Sequence, residues 1–265
     1  MPADLTAGPT GTSLTTTSIM NRASSPKPLS DSRLIRFLTD LSVTDVELSH
    51  RHFAERLGQL IDLSDSITLS AAHRDLAAAA VAPQAMTSSA LIEQYNQVRG
   101  SINQFIADSL ASDPEQCWLL LPPLSSAAAT EQSDEFEPFR RFYTTHQREM
   151  DFKLKKLRAL VREALSGVSP TLSQLAALDG VIDETLGPHA RKMFAGVSVL
   201  LERRYHSLKG KSATAQDALE DVEHLWFAQF CVELKGLLLA ELDLRLQPTL
   251  GLIEAFNEEV ARVHE

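Results

Sequence analysis

Leucine at helical spacing is the feature that most constrains the fold of this chain. The sequence has 265 residues, of which 40 are leucine, 22 are valine or isoleucine and 11 are glycine. Leucine loses less rotamer freedom in a helix than β-branched residues do. The apolar residues recur at steps of three and four, which is the period of an amphipathic helix. We therefore predict an all-α fold, with enough chain to bury a sizeable core.

Turn and capping residues divide the chain into about seven helices. A long helix, residues 134–166, begins at a Ser-Asp cap with Pro138 in its first turn. At 1.5 Å per residue it is about 48 Å long, which indicates an elongated bundle with long coiled-coil-like helices. We expect the Gly187-Pro188 pair to end one helix and Pro248 to kink or break another. The predicted helices cover residues 31–41, about 45–69 or on to 76, 87–110, 134–166, 169–186, 188–209 and 212–246, with a continuation over 252–260.

The segments outside these helices suggest one domain with a tail. Residues 1–30 are rich in serine, threonine and proline, which predicts a disordered tail. Residues 31–265 are expected to form one helical bundle domain. Within it, the alanine-rich stretch near 77–86 is interpreted as a connector and residues 111–133 as a long loop. Loops of that length in a compact domain are often functional.

The sequence favours a cytoplasmic protein. Residues 1–30 lack the charged and apolar regions of a secretory signal peptide. No run approaches the roughly 18 apolar residues of a membrane span, so we expect no integral membrane segment. Cys117 and Cys231 lie far apart and outside any CxxC pair, which is typical of reduced thiols.

The formal net charge of -10 is distributed unevenly along the chain. Residues 139–162 contain eight basic and two acidic side chains, whereas residues 213–265 carry a net charge of -8. We expect the basic helix to pair with the acidic C-terminal third, within one molecule or between subunits, and so to set helix register and partner choice. The candidate partner-binding or helix-pairing residues are Arg148, Lys153, Lys155, Lys156, Arg158 and Arg162.

Nucleic-acid binding is the alternative function for this basic helix. Phe139, Phe142 and Tyr143 lie among its cations, and aromatic rings in such positions can stack on bases. The same aromatic residues share the apolar stripe of the helix, which favours a place in the core. The pI of 5.3 also argues against a nucleic-acid footprint, which is usually basic over a whole domain. Helix pairing is therefore preferred, and we do not expect nucleic acid as a partner.

An apolar strap, residues 117–124, lies within the long loop and reads CWLLLPPL. In one interpretation it folds back over the bundle and buries Trp118 and three leucines, at about 1.5–3 kcal/mol per large side chain. In the other it is an exposed docking segment for a partner. Burial is favoured, because an exposed apolar patch of this size is unusual on a monomer. The docking-strap candidates are Trp118, Leu119, Leu120 and Leu121.

No motif in the chain specifies catalysis or a cofactor. Glu47 and His50 have the Glu-x-x-His spacing of bundle di-iron and di-manganese centres, with His52, Glu220 and His224 as further candidate ligands. Such a centre needs a second Glu-x-x-His pair, which the sequence lacks. There is also no G-x-S-x-G nucleophile motif and no glycine loop for phosphate. We therefore assign no catalytic, cofactor-binding or metal-ligating residue and expect no small-molecule substrate.

Three helical stretches, residues 53–72, 169–208 and 226–256, resemble a proteobacterial family filed as a domain of unknown function (catalogue number 3348). The resemblance extends over most of residues 30–260. It implies a helical bacterial protein and assigns no functional residue. As a lead, it adds peripheral association with an envelope complex to the expected partners.

These patterns favour a non-catalytic cytosolic scaffold or protein-interaction subunit of a bacterial assembly. A protein partner or a homo-oligomer is expected, with dimer contacts along residues 134–166 and 213–246. The alternatives are a nucleic-acid-binding protein that acts through residues 139–162 and, third, a helix-bundle metalloprotein.

Overall fold

A computed structural model describes most of the chain from residue 63 onward. The described residues are 33–34, 36, 38, 63–75, 86–111, 117–124, 135–214 and 220–263. The predicted tail, residues 39–62, the predicted connector up to residue 85 and two parts of the predicted long loop lie outside them.

The described part of the chain is all α, as predicted, and contains no strand. The short described stretch from residue 33 to residue 38 is also helical. The helices with assigned bounds are α1 (Leu63–Asp75), α2 (Ser88–Ala111), α3 (Glu137–Ser166), α4 (Pro170–Ala195), α5 (Val197–Thr214) and α6 (Glu220–Val263).

Helices α3 and α4 form a hairpin whose turn follows from its sequence. Pro138 lies in the first turn of α3, where its missing N–H costs no helical hydrogen bond. The N–H of Gly167 bonds to carbonyls of the last turn of α3. The Ser169 hydroxyl then caps α4 by accepting a hydrogen bond from the N–H of Leu172 at 3.3 Å. The predicted boundary between these two helices is confirmed.

Helix α3 is central to the bundle and packs against α2, α4, α5 and α6. Its inward face is the apolar stripe that the sequence predicts, and α6 supplies a second stripe of buried leucines. The buried residues of α3 include Phe139, Phe142, Tyr143, Met150, Leu154, Leu157, Val161 and Leu165. Those of α6 include Phe230, Leu234, Leu237, Leu238, Leu242 and Leu246. The aromatic residues proposed for base stacking are therefore core residues.

The predicted helix end at Gly187 is wrong, because α4 runs through Pro188 to Ala195. A proline inside a helix removes one backbone hydrogen bond and costs about 3 kcal/mol. Packing on both sides offsets that cost: Thr185 is buried, and His189 Nε2 lies 3.2 Å from the Asp65 carboxylate of α1. The helix ends instead before Gly196.

Of the kink or break expected at Pro248, the break is wrong, because α6 is one helix of 44 residues. Leu246 and Thr249, on either side of the proline, are each 1% exposed. Leu252 and Phe256 continue the buried stripe beyond it. Burial of this stripe outweighs the one lost hydrogen bond. At 1.5 Å per residue α6 is about 66 Å long, which makes the bundle elongated.

Candidate functional site

Arg158 and Arg162 face inward and join α3 to α4. Arg158 donates to Asp179 at 2.6 and 2.8 Å and to Asp183 at 2.9 Å. Arg162 donates to the same two carboxylates at 3.1 and 3.2 Å. The four side chains are between 11% and 26% exposed, so water screens this cluster only in part. Two of the six candidate cations therefore pair within the molecule.

Their partner within the chain is α4 and not the acidic C-terminal third, so the expectation of pairing within one molecule is corrected for these two arginines. Where α3 meets α6, the charges are reversed, since Asp151 of α3 pairs with Arg245 of α6 at 3.3 Å. Acidic residues of α6 pair elsewhere: Asp243 with arginines 33 and 99, and Glu233 with Arg204. The local hairpin explains the difference. Arginines four residues apart on α3 meet aspartates four residues apart on the next helix along the chain.

The other candidate cations of α3 divide into one that faces α2 and three that are exposed. The Lys153 ammonium lies 3.5 Å from the Ser101 hydroxyl and 5.8 Å from the centre of the Phe105 ring, both on α2. The exposed cations form no ion pair with any acidic side chain that the structure describes. They are Arg148, Lys155 and Lys156.

An exposed aromatic ring lies among these three cations. Phe152 is 57% exposed, although it belongs to the central helix of the bundle. The Lys156 ammonium lies 4.1 Å from the centre of its ring, within range of a cation–π interaction. The solvent side of α3 around Phe152 is thus basic and partly apolar, although the whole chain has a net charge of -10.

The strap, residues 117–124, is fixed to the bundle through its backbone and its leucines. Cys117 is buried, and the side chains of Leu119, Leu121 and Leu124 pack against the core. The N–H of Leu121 donates to a carbonyl of α2 at 2.9 Å. The fold-back interpretation is therefore confirmed for this part of the strap.

Trp118 differs from the rest of the strap. Its side chain is 71% exposed, so the expectation that the fold-back buries it is wrong. The Trp118 ring stacks on the Phe105 ring, with 5.7 Å between the ring centres, and this contact fixes the position of Trp118 at the surface. The neighbouring Cys117 is only 7% exposed, so adjacent residues of the strap differ sharply in burial. The Trp118 ring is therefore available to a partner.

A cleft of about 540 Å³ lies between the strap and the start of α3. Its apolar walls come from both elements, and two charged side chains lie at its edge. The lining residues are Leu119, Leu120, Pro122, Glu137, Pro138, Arg141, Phe142 and Thr145. The residues that follow Trp118 in the strap thus line a concave surface of the size that recognition sites use.

A serine and a histidine under the strap have the geometry of a nucleophile and its base, but they are inaccessible. The Ser109 hydroxyl lies 2.9 Å from His146 Nε2, and His146 Nδ1 donates to the Phe142 carbonyl at 2.9 Å. Both Ser109 and His146 are fully buried. Burial lowers the pKa of His146 to about 4, so the imidazole is neutral. A catalytic pair must reach its substrate, so we interpret this pair as part of the core.

A buried carboxylate links α3 to α6. Glu241 is fully buried and accepts hydrogen bonds from the Tyr143 hydroxyl and, at 3.1 Å, from Gln147. Arg245 donates to it at 2.8 Å and also reaches Asp151. Burial and then the Glu241 charge raise the pKa of Tyr143 well above its usual value. Because Glu241 has this full set of partners, the cluster holds the two helices together and offers no reactive group.

A family model described as a protein of unknown function, DUF3348, matches residues 20–258. The chain belongs to this family. The resemblance seen in the sequence is therefore confirmed. No curated protein matches the chain, and no solved structure does. Membership in DUF3348 fixes the family and assigns no activity.

The structure bears on the metal and membrane predictions only within the described residues of this DUF3348 chain. Within the described residues no three potential metal ligands lie together. The candidates Glu47, His50 and His52 lie outside those residues, as do the side chains of Glu220 and His224. None of the described helices is long and apolar enough to cross a membrane.

Proposed function

We propose that this chain is a non-catalytic protein-interaction subunit of a bacterial assembly, acting in the cytoplasm, and that Trp118 is the centre of its partner-binding surface. The observation that carries the proposal is the contrast within one strap. Leu119, Leu121 and Leu124 are packed on the core, whereas Trp118 is 71% exposed.

A fixed tryptophan at the surface has the properties of a binding hot spot. Tryptophan is enriched among the few interface residues that contribute most of the binding free energy. The strap is already ordered by its leucines and by the stacking of Trp118 on Phe105. Binding of a partner would therefore cost little conformational entropy in the strap. The adjacent cleft of about 540 Å³ offers room for a side chain of the partner.

Two further observations support this proposal over the alternatives. Arg158 and Arg162, needed for a nucleic-acid surface on α3, are already held by aspartates of α4. Both cysteines are free, and burial raises the pKa of Cys231 to about 11, which suits an inert thiol in a reducing compartment.

Site-specific crosslinking tests this function while leaving Trp118 in place. A photoreactive residue replaces Leu120, beside the tryptophan, in the full-length chain expressed in its host. We expect one discrete protein adduct, and we expect Trp118→Ala to reduce its yield at least about tenfold, the effect of losing about 1.4 kcal/mol of binding free energy.

Leu225→Ala is the matched control, because Leu225 is also 71% exposed but lies on α6. The adduct should persist in that variant. If Trp118→Ala and Leu225→Ala give the same adducts as the unaltered chain, Trp118 is not a binding centre and the proposal fails.

A further inference from the structure

The solvent side of α3 carries side chains at alternating steps of four and three residues. This spacing is the heptad period with which one helix packs along another. All of these residues are exposed except Thr145, which is half-buried. The basic stripe, as we name it, consists of Arg141, Thr145, Arg148, Phe152, Lys155 and Ala159. The stripe therefore has the form of a helix-packing face on which no described helix of the same chain is packed.

The C-terminal half of α6 has a second exposed face with the same spacing. Its residues are Gln247, Gly251, Glu254, Glu258 and Ala261, and all five are exposed. We name it the acidic face. A Cβ atom placed at Gly251 would have no heavy atom within 4 Å, so the surface there is open and shallow. It has room for a large side chain from outside.

The two faces carry opposite charges, and one has a large apolar side chain while the other has open space. Arg148 and Lys155 of the basic stripe are cations without a described acidic partner, and Glu254 and Glu258 are exposed carboxylates. Opposite charges at the flanks of a heptad interface set partner choice and orientation. Phe152, 57% exposed, is the large apolar residue of one face, and Gly251 leaves space in the other.

We propose that the basic stripe of one copy binds the acidic face of a second copy of this chain. The two faces do not meet within one copy, since both are exposed while α3 and α6 contact each other through their buried sides. The contact joins two different surfaces, so it closes as a reciprocal dimer or extends as a ring or filament.

Self-association is independent of the function proposed for Trp118. The tryptophan belongs to neither face, so a partner bound there leaves the basic stripe accessible. A negative result in the crosslinking experiment would leave the proposal of self-association intact. A finding that the chain is monomeric would leave the proposed role of Trp118 intact.

Charge reversal in two complementary variants tests the proposal by sedimentation velocity on the nuclease-treated full-length chain. We expect the unaltered chain to associate between about 1 and 100 µM, the range of weak protein contacts, and to associate less at high salt. Each of the variants Arg148→Glu/Lys155→Glu and Glu254→Lys/Glu258→Lys should have a dissociation constant at least about tenfold higher. An equimolar mixture of the two variants should associate again, because each then offers the face that the other needs.

The matched control is Lys192→Glu/Arg203→Glu, which makes the same change in net charge as Arg148→Glu/Lys155→Glu at exposed residues outside both faces. This variant should associate like the unaltered chain. A chain that is monomeric between about 1 and 100 µM overturns the proposal. The same holds if its sedimentation coefficient rises only when nucleic acid is added. The proposal is equally overturned if the mixture of variants stays monomeric while both remain helical by circular dichroism.

Discussion

The cations on the inward side of helix α3 and those on its solvent side have different roles. Arg158 and Arg162 are 17% and 20% exposed and hold two aspartates of α4. Lys155, about one turn before Arg158, and Arg148, about three turns before it, are exposed and have no described acidic partner. The residue types are the same, and only the neighbouring helix differs. A basic run in a sequence therefore does not specify its role until the adjacent element is known.

The largest expected effect comes from removing an inward partner. Asp179→Ala leaves the guanidinium groups of Arg158 and Arg162 partly buried with one carboxylate between them. Losing one partner of a buried charge cluster is costly, and we expect a loss of about 2–3 kcal/mol in the free energy of unfolding, measured by urea denaturation.

Glu163→Ala is the control for this loss, because Glu163 is an exposed acidic residue of α3. It should change the free energy of unfolding by less than about 0.5 kcal/mol. Equal losses in the two variants would remove the distinction between inward and outward charges.

The next effect concerns the buried His146 of α3 and depends on pH. Its pKa is about 4 in the folded chain and 6.5 when unperturbed, so the unfolded chain binds an extra proton between these values. Stability is therefore lost as the pH falls, by about 2 kcal/mol between pH 7 and pH 5. His146→Gln should flatten that part of the profile of unfolding free energy against pH. If the unfolding free energy of the variant and of the unaltered chain has the same slope against pH, the assignment of a neutral buried imidazole to His146 is wrong.

The smallest effect is expected from the outward cations. Arg148→Ala/Lys155→Ala removes two exposed charges, which contribute little to a folded chain in water. We expect a change below about 0.5 kcal/mol in the free energy of unfolding of the monomer, measured at low protein concentration. A loss as large as that of Asp179→Ala would mean that these cations have a structural role.

Much of the fold could be predicted, because local signals agree with the packing. The apolar stripe and the first-turn proline predicted α3, and the Ser169 cap predicted the start of α4. The errors at Pro188 and Pro248 have one cause. A local rule gives the cost of a proline, but only the packed structure shows the burial that offsets it.

The candidate site was harder to predict than the helices. One sequence signal does predict pairing in a hairpin. Two arginines four residues apart, at 158 and 162, are followed across a short turn by two aspartates four residues apart, at 179 and 183. The exposure of Trp118 has no such signal, since it depends on which way the strap turns over α2. The contact between Ser109 and His146 joins residues 37 apart, which only the tertiary fold brings together.

The account rests on the claim that the outward charges of α3 bind a second chain while the inward charges stabilise the fold. Sedimentation velocity of the equimolar mixture of Arg148→Glu/Lys155→Glu and Glu254→Lys/Glu258→Lys tests it most directly. The account predicts that each variant alone has a dissociation constant at least about tenfold higher than the unaltered chain, and that the mixture associates again. A mixture that sediments as monomers, beside variants that keep their helical content, would contradict it.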